Sequence, residues 1–251
     1  MTVTITNDGP VRIITINRPE RRNAVDPATA QLLRDAFTDF ATDDGAAVAI
    51  LTGTGGYFCA GFDLTAVGTS SYEPNGPGPM GPTRMLLDKP VIAAIEGPAV
   101  AGGLELALWC DLRVASETAV FGVFCRRWGV PLIDGGTVRL PRIIGQGRAL
   151  DMILTGRPVD AHEAHAIGLA DRIVAADTAL ETAVSLAHDI AAFPQLCMQA
   201  DRMSAYQQWD VPLAKALTDE AHGGAASLRE GAAVGARRFT DGAGRGGSFT
   251  N

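Results

Sequence analysis

The stretch VAGGLELALWCD, Val100–Asp111, sets one carboxylate in the middle of a run that otherwise belongs in a protein interior. A helix that is apolar on all sides is a buried helix. A glutamate inside it costs several kcal/mol unless it is paired or neutral. Gly102 and Gly103 open the segment. Upstream, VIAAIEG (91–97) is a short continuous apolar run stopped by glycine, as buried strands are. Downstream, LRVASE (112–117) is another. Strand, glycine turn, helix and strand predict a layered α/β arrangement, and Glu105 needs a substrate to explain its placement.

The same grammar extends in both directions. TVTIT and VRIITIN read as two short strands joined at Asn7-Asp8-Gly9, a hairpin signal. NRPERRNAVDP is a loop, and Asp26-Pro27 opens a helix to about Phe40 with Asp as N-cap and Pro in the first turn. AAVAILTG is a buried strand and YFCAGFDL a turn. GTSSYEPNGPGPMGP, Gly68 to Pro82, is too rich in Gly, Pro and Ser for regular structure and is expected to be a mobile surface loop. A short helix is expected to end over Met85–Lys89, AVFGVF is a short strand, and helices follow at about Gly135–Ile144 and Ala149–Leu154. From about Thr178 the strand signal disappears. Residues 1–193 are therefore expected to form the core, and 194–251 a helical region for packing or oligomerisation, broken at Pro194 and Pro212. The last ten residues, GAGRGGSFTN, are expected to be disordered.

At 251 residues the chain is long enough for a sizeable core, and 47% of it is hydrophobic. The net charge of −7 argues against a general nucleic-acid binder. No apolar run approaches the ~20 residues of a membrane span, and the N-terminus lacks the plan of a signal peptide. Cys59, Cys110, Cys125 and Cys197 form no CxxC and read as free thiols in a reducing cytoplasm. Arg18, Arg21 and Arg22 crowd into NRPERRN, either to meet an anionic ligand or as a solvated loop.

Several motifs fail on spacing. Gly53, Gly55 and Gly56 do not make GxGxxG, and no helix follows them directly. His162 and His165 stand at helical spacing but lack the surroundings of a zinc site, and no metal is expected. A Cys125 nucleophile has no histidine before residue 162. Two glycine turns, AGFD and AGGLE, remain. Each follows a buried strand and can leave backbone N–H groups free. Converging on one oxygen, they form an oxyanion hole; otherwise the glycines serve close packing.

These segments resemble the crotonase superfamily, the enoyl-CoA hydratase/isomerase family. ITINRPERRNAVD, YFCAGFDL, KPVIAAIEGPAVAGGLELALWCD, FGVFCRRWGVPLIDGGTVRLPRIIG, LTGRPVDAHEAHAIGLADRIV and EGAAVGARRF match it in order along nearly the whole chain. The resemblance implies a spiral of ββα turns with a helical C-terminal region, assembled as a homotrimer or hexamer. It implies an acyl-CoA thioester as substrate, with no cofactor beyond the coenzyme A of that substrate. By position, the amides of Phe62 and Gly102 hold the thioester oxygen. Arg22 and Ala24 lie near the CoA phosphates, and the segment Ala60–Leu64, including Asp63, near the adenine. The loop from Gly68 covers the acyl chain.

Glu105 matches the first of two glutamates with which hydratases of the family handle water. Cys125 stands where the second belongs, and a thiol with pKa near ~8.5 is a weak stand-in for it. Asp134 lies within about a residue of where other branches carry a catalytic aspartate; capping of the helix entered at Gly135 is the other reading. Hydration of a 2-enoyl-CoA is the reaction expected first. Isomerisation of a 3-enoyl-CoA and non-catalytic acyl-CoA binding are the alternatives.

Overall fold

The computed structural model describes residues 1–68 and 73–244. Residues 69–72 of the Gly68–Pro82 segment, expected to be a mobile surface loop, and 245–251 of the tail, expected to be disordered, lie outside the described residues. The end of the segment is not surface loop, since Gly78, Met80, Gly81 and Pro82 are buried. Two compact units are present, Met1–Ile190 and Ala191–Asn251.

In the first unit, strands β1 (Val3–Asp8) and β2 (Val11–Ile16) pair antiparallel, with Asp8 opposite Val11. The turn is therefore Gly9-Pro10, slightly later than the sequence signal. Helix α1 (Pro27–Thr42) starts as expected, with the Asp26 carboxylate accepting the Thr29 N–H at 2.8 Å. Leu33, Ala36, Phe37 and Phe40 recur at helical spacing and are buried. Strand β3 (Val48–Gly53) runs parallel to β2, then β4 (Val91–Ile95) and β6 (Leu112–Ser116) extend the sheet in parallel. Strand β9 (Arg172–Val174) closes a six-stranded order β1-β2-β3-β4-β6-β9. A second sheet contains β5 (Pro98–Val100), β7 (Val120–Gly122) and β8 (Val159–Asp160).

The chain thus gives one strand to the large sheet, turns, gives one to the small layer, and enters a helix. β4, β5 and α2 (Gly102–Trp109) make one such turn; β6, β7 and α3 (Gly136–Ile144) make the next. An isolated bridge from Cys59 to Ala99 carries the same pattern back to the segment after β3. Every residue of α2 is buried, Glu105 included. Helices α4 (Gln146–Thr155), α5 (Ala161–Ala166) and α6 (Ala179–Ala191) complete the unit.

Two local expectations are corrected. Met85–Lys89 is not helical. Only a turn forms there, Met85 N–H to Pro82 C=O at 2.8 Å, and the Met85 carbonyl is taken by the Trp109 indole at 2.8 Å. Pro90 further disfavours a helical residue 89. AVFGVF is a strand only over Val120–Gly122, after which Phe124–Trp128 winds into a 3-10 turn.

The second unit consists of α7 (Gln195–Gln207), α8 (Leu213–Glu230) and α9 (Ala232–Thr240). None of the three contains a buried residue, and Leu213, Leu217, Leu228, Val234 and Phe239 are exposed. No described helix is long and apolar enough to cross a membrane.

Candidate active site

The turn after β3 is held from both sides. The Val25 N–H donates to the Gly61 carbonyl and the Asp63 N–H to the Val25 carbonyl, each at 2.8 Å. Arg18 reinforces this clamp with its guanidinium, paired to Asp26 at 3.0 Å and Asp63 at 3.2 Å and bonded to the Ala24 carbonyl. Asp63 is also bonded by the Thr65 hydroxyl, which with Arg18 holds its carboxyl below its usual range despite burial. Phe62 therefore sits between two fixed residues, and its own N–H donates to no carbonyl among the described residues. Gly61, at φ +101°, supplies the left-handed turn that brings this strand against α2.

The second amide is set by strain. Ala101 has φ 53° and ψ −124° at the mouth of α2, a conformation that costs a non-glycine residue about 1–3 kcal/mol. Its N–H is held by the Gly122 carbonyl at 2.8 Å, and its carbonyl takes the Glu105 N–H at 3.2 Å. Gly102 follows with a first-turn N–H that has no intrahelical acceptor. Phe62 and Gly102 both line one cavity of about 640 Å³, together with Ala60, Leu64, Cys125 and Asp134.

Glu105 lies behind this wall, 2% exposed. Its Oε1 accepts the N–H groups of Asp134 and Gly136, both at 2.8 Å. Burial pushes its carboxyl up to about 7; the Gly136 amide opposes the shift and the neighbouring Asp134 charge adds to it. A helix N-terminus ordinarily favours a carboxylate, and here desolvation wins. Asp134 is likewise 2% exposed and raised by burial, against hydrogen bonds from Thr83 and Met80 and the charges of Arg84 and Arg139. The capping reading of Asp134 is overturned. Gly135 is the N-cap of α3 and makes no side-chain cap bond; the Asp134 Oδ1 instead accepts the Met80 N–H at 3.0 Å and the Thr83 hydroxyl. Cys125, also buried, has its thiol pushed up by desolvation and by the Glu105 charge.

The structure brings Glu105, Asp134, Cys125, Phe62 and Gly102 together. Arg22, Ala24 and Asp63 are not part of the cavity wall, although the Arg22 carbonyl accepts the Ala60 N–H at 3.0 Å and so lies beside it. Arg22 is exposed, its guanidinium 6.0 Å from the centre of the Tyr57 ring. Sequence reasoning missed Met80 and Thr83, and it offered Arg18 for an anionic ligand or a solvated loop where the structure makes it a clamp; these roles depend on partners 45 to 54 residues away. Among the described residues no group of three or more His, Cys, Asp or Glu could hold a metal ion. His165 of AHEAH instead has Nδ1 3.0 Å from the Ala170 carbonyl oxygen.

The enoyl-CoA hydratase/isomerase family profile matches residues 6–224. The chain belongs to the enoyl-CoA hydratase/isomerase family. It is 40% identical over 203 residues to the enoyl-CoA hydratase EchA19 of Mycobacterium tuberculosis, covering 76% of this chain and 75% of that protein. It is 39% identical over 220 residues to the (E)-benzylidenesuccinyl-CoA hydratase of Thauera aromatica, covering 85% of each. The solved structure of enoyl-CoA hydratase EchA1 from Mycobacterium marinum superposes with a TM-score of 0.91 at 34% identity, over 96% of both chains. The spiral of strands and helices is thus the crotonase fold that this family shares.

Proposed function

We propose that the chain is an enoyl-CoA hydratase, adding water across the C2–C3 double bond of a 2-enoyl-CoA. The observation that carries this reading is one cavity lined by Phe62, Gly102 and Asp134, the first two with backbone N–H groups that donate to no carbonyl among the described residues, and with Glu105 bonded to the Asp134 N–H behind it. Family membership supports it, as do the hydratase names of relatives near 40% identity.

In this reading the thioester oxygen accepts both amides. The Asp134 carboxylate orients a water molecule, and the Glu105 carboxylate takes one of its protons while the water oxygen bonds to C3. The C2–C3 π pair moves toward C1 and charge develops on the thioester oxygen, where each well-placed amide is worth roughly 3–4 kcal/mol. Glu105 then returns its proton to C2, the enolate collapses, and a 3-hydroxyacyl-CoA leaves. A carboxyl with pKa about 7 is suited to both transfers, since it neither holds nor releases the proton too firmly. The acyl-CoA is the only small molecule the reaction needs beyond water. Helices α7–α9, with their exposed apolar residues, are read as the assembly surface of a trimer or pair of trimers.

Coenzyme A carries phosphates, and Arg22 is read as meeting them with Ala24, Ala60, Asp63 and Leu64 around the adenine end. Arg22→Ala is expected to raise KM for the CoA ester several-fold, with kcat changed less than about twofold, because uniform binding is lost. An unchanged KM would remove Arg22 from the site.

Cys125 occupies the second glutamate's position, and Asp134 takes over the role of second carboxyl. Cys125→Glu is therefore expected to lower turnover at neutral pH, because a third buried carboxyl beside Glu105 raises the pKa of the base further. The acid limb of the rate profile should move up, and stability should fall by a few kcal/mol. A gain in hydration rate would show instead that Cys125 marks a lost acid.

A further inference from the structure

Asp134 is gripped at one oxygen by two residues of a short turn, Met80, which lines the cavity, and Thr83, which does not. Thr83 is 1% exposed and is not part of the cavity wall. Its hydroxyl donates to Asp134 Oδ1, which also takes the Met80 N–H at 3.0 Å. The turn is closed by the Gly81 N–H on the Gly78 carbonyl at 2.9 Å. A methyl group at Gly78 would overlap both the Thr83 hydroxyl and Asp134 Oδ1, so the backbone of this turn packs directly on the bonded pair.

The main chains of both partners are also tied to one side chain. Arg139 donates from Nη1 to the Asp134 carbonyl at 2.9 Å and from Nη2 to the Thr83 carbonyl at 2.7 Å. Arg84, next to Thr83, donates to the Ile133 carbonyl at 3.0 Å. The hydroxyl and the carboxyl are thereby held facing each other before any substrate arrives.

We infer that Thr83 is a positioning residue for hydration: with the Met80 N–H it keeps Asp134 Oδ1 occupied, so that Oδ2 is the oxygen left to meet the water. The inference rests on the reading of Asp134 as the water-orienting carboxylate. Oδ1 with two donors has little capacity left, whereas a carboxyl freed of one donor can rotate about its last bond. The charged and titratable groups acting on Asp134 are Glu105 from α2, Arg139 from α3 and Arg84 from the turn; Cys125 in turn faces Glu105. Burial raises Asp134, and the Thr83 hydroxyl is the foremost influence opposing it. Removing that hydroxyl lets Asp134 hold its proton to higher pH. Since activity needs both carboxyls ionised, the acid limb follows the higher apparent pKa of the coupled pair, and that value moves up.

Thr83→Val keeps the shape and removes the donor; Thr83→Ser restores it. Turnover of a 2-enoyl-CoA by Thr83→Val is expected to fall about 10- to 100-fold at neutral pH. KM should stay within about threefold, the acid limb should move upward, and Thr83→Ser should recover most of the rate. Asp134 followed by carbon-13 NMR of labelled aspartate should titrate at higher pH in Thr83→Val and near the wild-type pH in Thr83→Ser. If Thr83→Val fails to fold, Thr83→Ala read by the same titration replaces it. Asp134→Asn, assayed in parallel, separates the two levels. Full activity in Asp134→Asn overturns the role given to Asp134 and the inference with it. Impaired Asp134→Asn beside a wild-type rate and titration in Thr83→Val overturns the inference alone. Equal impairment of the Val and Ser variants also overturns it, since that is the mark of packing.

Discussion

Glu105→Gln is expected to lower turnover of a 2-enoyl-CoA by on the order of 10²-fold or more while the folded chain still binds the ester, because shape is kept and proton transfer is lost. The amide oxygen of glutamine can still accept the Asp134 and Gly136 N–H groups that hold Oε1. The same variant has a stability signature. The Glu105 carboxyl binds its proton more tightly folded than unfolded, since its pKa rises from 4.5 to about 7. Across that window the folded state holds more protons than the unfolded state, so this group's contribution is full below about pH 4.5 and is lost as pH rises through about 7. At about 1.4 kcal/mol per pH unit the loss is roughly 3 kcal/mol. Glu105→Gln, which carries no charge at either end, should therefore gain thermal midpoint relative to wild type between about pH 5 and pH 8. Near-wild-type turnover, or a midpoint difference that does not change with pH, would remove Glu105 from the role assigned to it.

The second large effect is expected from two adjacent glycines that differ in what surrounds them. A methyl group at Gly103 would overlap the backbone carbonyl of Cys59 and come 2.9 Å from the Cys59 Cβ. That carbonyl belongs to the segment carrying Phe62 and already accepts the Val100 N–H at 3.1 Å. Gly103→Ala must push α2 away from the turn, opening the space between the two amides. A loss of several kcal/mol follows, about 10 °C or more in thermal midpoint for a chain of this size, with hydratase activity at background. A methyl group at Gly102 meets the Met80 Sδ at 2.6 Å, and a flexible thioether can move aside. Gly102→Ala should lower the midpoint by only a few degrees. Equal midpoints for the two variants would contradict the packing described between α2 and the Phe62 turn.

Much of this site was legible because its parts are local. Gly102 and Gly103 next to a wholly apolar run announced a buried helix with a carboxylate inside, and the structure places Glu105 there. The buried strands read the same way, since continuous apolar runs between glycines leave few choices. Asp134 was ambiguous because a lone aspartate before glycines looks the same whether it caps a helix or serves a site. Its partners, Met80 and Thr83, lie more than fifty residues earlier, in a segment whose Gly-Pro composition suggested only a loop. Arg18 was hidden for the opposite reason. Three arginines in seven residues look interchangeable, yet one is clamped to Asp26 and Asp63 while Arg22 is exposed. The expected helix over Met85–Lys89 failed because the Trp109 indole takes a carbonyl there from 24 residues away, a competition that local propensity does not register.

The central claim is that Glu105 adds water to a double bond held against the Phe62 and Gly102 amides. The most direct test is to incubate wild type and Glu105→Gln with a 2-enoyl-CoA in heavy-oxygen water and to follow both the enoyl-thioester absorbance and the mass of the product. The expected result is loss of the absorbance with wild type, one heavy oxygen retained at C3 of a 3-hydroxyacyl-CoA, and a rate at least about 10² lower with the variant. Bound ester that is never converted, or a product that is only a shifted double bond without added oxygen, would contradict it.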